Sequence, residues 1–140
     1  MSNIFICIKR TGEGILDNSL IGKSATAVTI VNDTNTAKAV GSGNLDVFAT
    51  PMMIALMEQA ACNCLTDALE PGQSSVGTQI SIDHTAASPL GMEIRAAATV
   101  TGVDGRKILF DISACDNKNE IGRGTHTRFV IDAARFMSKL

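Results

Sequence analysis

A carboxylic acid within an apolar helix is the first feature of this sequence that could do chemistry. Residues 47–69, VFATPMMIALMEQAACNCLTDAL, are apolar on most sides at the 3.6-residue period of a helix, which predicts a buried helix. On that helix Glu58 aligns with weakly solvating side chains, namely Ile54, Cys62, Leu65 and Leu69. A carboxylate there must be hydrogen-bonded, paired or protonated. Glu58 is therefore either a structural group reaching water or a partner, or the tuned acid of an active site.

His84 and Thr50 are the two other residues whose chemistry suits a site beside that helix. His84 shares a strand face with two isoleucines, so it is predicted to point at the helix. It is either a structural histidine whose ring nitrogens are hydrogen-bonded in the core, or a catalytic residue. Thr50 is predicted as the N-cap, with Pro51 in the first helical position. The start of a helix also binds an oxyanion or carbonyl oxygen. Thr50 and Glu58 are separated by about 12 Å of helix rise, so direct contact is not expected.

Other polar residues rank lower as site candidates. His126 and Arg128 are predicted on the face opposite the apolar residues of the last strand, in a solvated or interface position unless a bulge reverses the alternation. Asp83 must point away from its neighbour His84. No phosphate-binding loop, nucleophile elbow or dinucleotide fingerprint is present in the sequence.

The order of the predicted elements indicates an α+β fold. Strands are expected at residues 3–8, 24–31, 76–86, 92–100, 108–114 and 120–132, with a turn at Asp104-Gly105 and a short helix at 133–140. A long apolar helix followed by an antiparallel meander predicts a curled sheet wrapped around the helix in one domain, residues 1–140. The flexible GSGN segment at 41–44 is expected to form a lid over the helix start. Uncovered sheet area and open edges predict a homodimer or a higher assembly.

Composition excludes several classes of protein. With 45% hydrophobic and 19% charged residues, the 140-residue chain is typical of a soluble globular domain. Its net charge of −2 and lack of a Lys/Arg cluster argue against nucleic acid as a partner. The four cysteines have no zinc-ligand spacing, so no metal site is expected, and they suit a reducing cytoplasm. Neither a signal peptide nor a membrane span is predicted.

Three stretches of the sequence resemble one enzyme family: VFATPMMIALMEQAA, SSVGTQISIDHTAASPLGM and EIGRGTHTRFVI. Together they resemble the hot-dog-fold thioesterases related to the fluoroacetyl-CoA thioesterase, over about residues 24–135. The resemblance implies a hot-dog dimer that hydrolyses a small acyl-CoA, with coenzyme A belonging to the substrate and no separate cofactor. It also implies catalytic roles for Thr50, Glu58 and His84, with Glu58 as nucleophile or as general base. The backbone N–H of Gly77 is expected to polarise the thioester carbonyl.

The sequence departs from that family near the helix start. The segment GSGNLD has no aromatic residue where the fluoroacetyl enzyme is aromatic-rich, so Phe48 is the nearby aromatic side chain, and Pro51 replaces a glycine and stiffens the helix start. Both residues are expected to contact the substrate. We therefore expect a broader or different short acyl group.

Two alternative functions remain open on the residues. A hot-dog hydratase or dehydratase is disfavoured because such sites pair Asp with His in one short segment, whereas Asp83 and His84 point apart. A non-catalytic acyl-CoA-binding module is disfavoured because binding alone needs no buried acid.

Overall fold

The computed structural model describes residues 16–140, and a sixteen-residue helix lies at its centre. The elements in chain order are a 3₁₀ turn (Asn18–Leu20), β1 (Ser24–Ile30), α1 (Ala37–Val40), α2 (Thr50–Leu65), β2 (Gln73–His84), β3 (Glu93–Asp104), β4 (Lys107–Cys115), β5 (Glu120–Asp132) and α3 (Ala133–Ser138). The strand predicted at 3–8 lies outside the described residues. The terminal helix predicted at 133–140 is confirmed as α3, whereas α1 forms within a segment predicted as loop.

The five strands form one antiparallel sheet in the order β1-β3-β4-β5-β2. Its apolar face packs against α2, which confirms the predicted architecture of a long helix covered by a curled sheet. The strands β1 and β2 are the two edges of this sheet, so each carries one row of backbone groups without a partner strand in the chain. No helix within residues 16–140 is long and apolar enough to cross a membrane.

The helix α2 buries one side rather than most of its surface. Its buried residues recur at intervals of three and four, which is the spacing of one helical face: Met53, Leu56, Met57, Ala60, Ala61, Cys64 and Leu65. Ala55, Gln59 and Cys62 are exposed in this chain. The prediction of a helix buried nearly all round is therefore wrong for the single chain, because one sheet covers only one side of a helix. The helix also ends at Leu65 rather than Leu69.

A bulge in β2 changes which residues face the helix. The pairing of β2 with β5 shifts register between Gly77 and Gln79, so the extra residue, Thr78, reverses the alternation. Gly77 therefore faces inward together with Ile80, and Val76 lies on the outer face. A regular period-two pattern through residues 76–86 would place Val76 on the inner face with Ile80, but the bulge, which the pattern does not reveal, puts Val76 on the outer face.

A second bulge reverses the alternation in β5. Ala114 pairs with Gly122 while Cys115 pairs with Glu120, which leaves Ile121 as the extra residue. As a result His126 and Arg128 face inward, with only 1% and 6% of their surfaces exposed. The solvated or interface position expected for a regular strand is therefore wrong for this chain, and the exception named with it, a bulge that reverses the alternation, is what the structure shows.

The predicted hairpin between β3 and β4 is confirmed. Asp104 pairs with Lys107, so the two-residue loop consists of Gly105 and Arg106. Gly105 has φ of 62°, and no non-glycine residue in the described part of the chain has a positive φ. A positive φ at the first loop position alone is the pattern of a type II′ turn.

Gly124 is expected to be required for folding, because a Cβ atom there would overlap the carbonyl oxygen of Ser81 and the Cα atom of Ile82. Backbone atoms cannot move aside as a side chain can. The substitution Gly124→Ala should lower the free energy of unfolding by about 2 kcal/mol or more, measured by urea denaturation. The matched control is Gly102→Ala, where the nearest atom is Leu109 Cδ1 at 3.6 Å. Equal unfolding midpoints for the two variants would contradict this expectation.

Candidate active site

Thr50 and His84 form a hydrogen-bonded pair at the start of α2. Thr50 Oγ1 lies 2.7 Å from His84 Nδ1. Thr50 is the first helical residue, and Ala49 occupies the N-cap position without a side-chain hydrogen bond. The predicted N-cap role of Thr50 is therefore wrong, since its hydroxyl is directed to a strand rather than to the amides of its own helix. Pro51 takes the second helical position.

His84 is a half-buried imidazole that points at the helix, as the strand pattern predicted. Burial lowers the pKa of His84 below its ordinary value of 6.5, against a smaller opposing effect of the backbone at Ala86. The ring is therefore neutral at neutral pH. Its Nε2 atom is buried and has no hydrogen-bond partner among the residues that the structure describes. The ring thus has one nitrogen bonded to Thr50 and one nitrogen free for a ligand.

A cavity of about 310 Å³ lies beside the Thr50–His84 pair. Its walls come from the helix start, from the residues after β2, and from the preceding loop through Ser42, Val47 and Phe48. The GSGN segment, predicted as a lid, contributes Ser42 to this wall. Phe48 is 2% exposed and fixed by a backbone hydrogen bond to Ser88. Phe48 therefore lines the cavity, whereas Pro51 is not among its lining residues.

Glu58 lies in a different group of side chains, further along α2. Its Oε2 atom is 3.2 Å from Arg128 Nη1, and 40% of the Glu58 side chain is exposed. The same oxygen lies against Gly77, where a Cβ atom would come within 2.5 Å of it. Of the three predicted states of this acid (hydrogen-bonded, paired or protonated), the structure shows the hydrogen-bonded ion pair, because the immediate neighbour of Glu58 is the Arg128 guanidinium. The structure does bring Glu58 together with Gly77.

Arg128 is held by hydrogen bonds at each of its nitrogens. Its Nε donates to Ser75 Oγ at 2.8 Å, and its Nη2 donates to the Ser75 carbonyl oxygen at 3.0 Å. Its Nη1 donates to Glu58 and lies 3.2 Å from His126 Nε2. The guanidinium is planar, so these contacts fix both its position and its orientation.

The hydrogen bonds of His126 define its protonation state. Its Nδ1 lies 2.8 Å from the carbonyl oxygen of Gln79, which only accepts, so Nδ1 carries the proton. Its Nε2 then accepts from Arg128, and the ring stacks on Phe110 at 5.9 Å between centroids. Burial, and then the charge of Arg128, lower the pKa of His126 against the opposing effect of the Gln79 bond. The 3.8 Å approach of Nε2 to Glu58 is therefore not an ion pair.

The predicted site residues thus fall into two groups, and no hydrogen bond or ion pair within residues 16–140 joins them. Thr50 and His84 form one group, and Glu58 and Gly77 form the other. The imidazole beside Glu58 is His126 rather than His84, so the sequence analysis ranked His126 and Arg128 too low as site candidates. Their two-residue spacing in THTR puts them on one strand face and could have indicated a pair. Within the described residues, no cluster of three His, Cys, Asp or Glu side chains could hold a metal ion.

Comparisons with known proteins identify the family of the chain. The family model of the fluoroacetyl-CoA-specific thioesterase matches residues 31–134. The fluoroacetyl-CoA thioesterase of Streptantibioticus cattleyicolor is 43% identical over 95 residues, which are 68% of each chain.

Solved structures show the same fold. The fluoroacetyl-CoA-specific thioesterase FlK superposes with a TM-score of 0.80 at 36% identity, over 85% of this chain and 93% of FlK. A hot-dog-like protein from Thermanaerovibrio acidaminovorans superposes with a TM-score of 0.78 at 24% identity, over 87% of this chain and 92% of that one. The chain therefore has the hot-dog fold and belongs to the family of fluoroacetyl-CoA-specific thioesterases.

Proposed function

We propose that the protein hydrolyses the thioester of a short acyl-CoA to the free acid and coenzyme A. The observation that carries this proposal is the Glu58 carboxylate held by Arg128 against the bare backbone of Gly77. That arrangement places a general base or nucleophile beside the backbone of β2, at a glycine where a substrate carbonyl can approach. The curated relative that is 43% identical carries the name fluoroacetyl-CoA thioesterase, which supports the same reaction class.

Glu58 supplies the attack on the thioester in this proposal. Within residues 16–140, the hydrogen bond and the close charged approaches of its carboxylate are made through Oε2, so Oε1 remains for the reaction. That oxygen either takes a proton from an attacking water molecule or attacks the carbonyl carbon itself to give an anhydride that water then cleaves. In both routes the C–S bond breaks and coenzyme A leaves as the thiolate. Arg128 keeps the carboxylate in one position throughout.

Gly77 and His84 stabilise the charge that develops. The backbone N–H of Gly77 polarises the thioester carbonyl, and the absence of a Cβ atom allows Glu58 to approach. If Thr50 donates its hydroxyl proton to His84 Nδ1, then Nε2 carries the ring proton. That N–H can donate to the departing sulfur, while Thr50 fixes the ring and the acyl group.

The size of the cavity supports a small acyl group. A volume of about 310 Å³ lies at the lower end of the range for small-molecule sites, which is about 300–1,000 Å³. The wall formed by the preceding loop has one aromatic residue, Phe48. We propose that this wall accepts acetyl and other short acyl groups rather than selecting fluoroacetyl. Coenzyme A is part of the substrate, and no resident cofactor is invoked.

The two groups of site residues support a site shared between two copies of one hot-dog domain. Thr50 and Glu58 are too far apart on one helix to act on one carbon atom. The strand β2 has a free edge that can pair with β2 of a second copy. An antiparallel pairing with its twofold axis near Ile80 and Ser81 would bring His84 of one copy opposite Gly77 of the other. The complete site would then contain Glu58 from one copy and His84 from the other.

The first test is the release of free thiol from a panel of short acyl-CoAs, including fluoroacetyl-CoA. We expect Glu58→Gln to lower kcat by about 10²-fold or more and His84→Ala by about tenfold or more. The control is Glu93→Gln, which removes another carboxylate paired with an arginine at 3.5 Å. Equal rates in all four proteins would remove the assigned chemistry. Binding of acyl-CoA without thiol release would favour a non-catalytic binding module instead.

The second test uses the pH dependence of kcat/KM, which reports the pKa values of the free enzyme. Because the pKa of His84 is lowered, the neutral ring persists below pH 6.5. Protonation at lower pH then removes the acceptor for Thr50. We expect the rate to fall at low pH as His84 is protonated, with the midpoint of this fall below pH 6.5. The same fall should be absent from the pH profile of His84→Gln. A midpoint at or above 6.5 in the wild type would contradict the neutral-ring assignment.

The third test asks whether two chains share one site. Equimolar Glu58→Gln and His84→Ala proteins are unfolded together and refolded. In a mixed dimer one site would receive the intact Glu58 and the intact His84, so it should recover about half of the wild-type rate per dimer, whereas each variant alone stays low. Light scattering should give the mass of a dimer or a multiple of it. Absence of recovery in mixed dimers isolated by two affinity tags would place the whole site within one chain.

A further inference from the structure

We propose that a cavity at the end of β5 binds the phosphate groups of the nucleotide half of coenzyme A. The cavity, called here the basic cavity, has a volume of about 390 Å³. It is lined by Arg106, Ile131, Asp132, Arg135, Phe136 and Lys139. This inference rests on the proposed function, because it assumes that the substrate carries coenzyme A.

The cations of the basic cavity are not neutralised within the chain. No carboxylate in the described residues lies within 4.0 Å of the charged groups of Arg106, Arg135 or Lys139. Among the same residues, four other cations are each paired with a carboxylate, namely Lys23, Arg95, Arg123 and Arg128. Asp132 is the one acid that lines the cavity. Three positive groups and one negative group leave an excess of two positive charges. The whole chain carries a net charge of −2, so this excess is local and does not follow from composition.

The backbone fixes the positions from which these side chains extend. The carbonyl oxygen of Arg106, in the type II′ turn, accepts the N–H of Val130 at 2.9 Å. Asp132 accepts the N–H of Arg135 through Oδ1 at 2.9 Å and so caps α3. The N–H of Ala133 donates to the Gly72 carbonyl oxygen at 2.9 Å. Two segments distant in sequence are therefore held side by side at one end of the sheet.

The chemistry of the lining favours a nucleotide over other ligands. Two guanidinium groups and an ammonium suit phosphate oxygens, since arginine can bind them through two parallel hydrogen bonds. The excess of positive charge disfavours a metal ion. Phe136 and Ile131 are half-buried and add apolar surface, on which a purine ring can stack. Coenzyme A joins a 3′-phosphate, a diphosphate and an adenine, so it matches both parts of the lining.

The distance from the Glu58 group also agrees with one bound coenzyme A molecule. Arg128 and Asp132 are four residues apart on β5, which corresponds to roughly 13 Å along a strand. The pantetheine arm that joins the thioester to the diphosphate has the length of an extended chain of about four residues, roughly 14 Å. A thioester beside Glu58 would therefore allow the phosphates to enter the basic cavity.

Calorimetric titration of the intact protein with free coenzyme A tests this site without requiring hydrolysis. The test variant is Arg106→Ala with Arg135→Ala. The matched control is Arg95→Ala with Lys118→Ala, which also removes two exposed cations, from the opposite end of the sheet. We expect the test variant to raise the Kd for coenzyme A about tenfold and to flatten its dependence on salt. The control should remain within about twofold of the wild type.

Three comparisons separate the phosphate source and the proposed function. Titration with dephospho-coenzyme A, which lacks the 3′-phosphate, identifies the group bound. If the test variant raises the Kd for this ligand much less than the Kd for coenzyme A, the basic cavity binds the 3′-phosphate. If it raises both Kd values equally, the basic cavity binds the diphosphate. With an acetyl thioester of N-acetylcysteamine, which has no nucleotide, the test variant should keep the wild-type kcat/KM while its KM for acetyl-CoA rises. An equal loss of coenzyme A affinity in the test and control variants would refute the proposal that the basic cavity binds the phosphates. A protein that binds coenzyme A through this cavity but hydrolyses neither thioester would refute only the proposed function.

Discussion

The guanidinium of Arg128 is the group on which the geometry around Glu58 depends. Removing a guanidinium from water is costly unless its donors are bonded. Here Ser75 accepts from two nitrogens, while Glu58 and the neutral ring of His126 take the third. The carboxylate is therefore positioned from the sheet rather than by its own helix. The flexible glutamate side chain gains a fixed location because a rigid, buried arginine holds one of its oxygens.

That arrangement exists because two strands each contain one extra residue. The bulge at Thr78 turns Gly77 toward α2, and the bulge at Ile121 turns His126 and Arg128 the same way. Without the bulge in β2, a valine would face α2 where the site requires the bare backbone of a glycine. Without the bulge in β5, Arg128 would face outward where the site requires an inward charge. The irregular places in the sheet are thus the places that the chemistry uses, as is often seen for β-bulges near active sites.

The regular parts of the fold could be predicted from local sequence. The strand β4 alternates throughout and β3 alternates up to Val100, where its pairing with β4 shifts register, so their buried faces followed from period two. The apolar run around Glu58 predicted α2. The inward position of Arg128 could be named only as the exception that a bulge would create, because a bulge depends on how two strands pair and leaves no mark in either strand alone. The N-cap prediction for Thr50 is wrong for a related reason. A threonine beside a helix start can bond either its own helix or a distant ring, and the position of His84 decides between them.

The extra residue at Ile121 also affects how this chain is compared with its relatives. An alignment that shifts the last strand by a single position exchanges the two faces of the sheet, so Phe129 would be equated with a buried charge and Arg128 with a solvent-facing position. Aligning strand ends by hydrophobicity alone favours that error, because both registers match apolar residues. Homologues should therefore be matched on the spacing between the bulge and the arginine, and a gap in this segment signals a changed site rather than a neutral length difference.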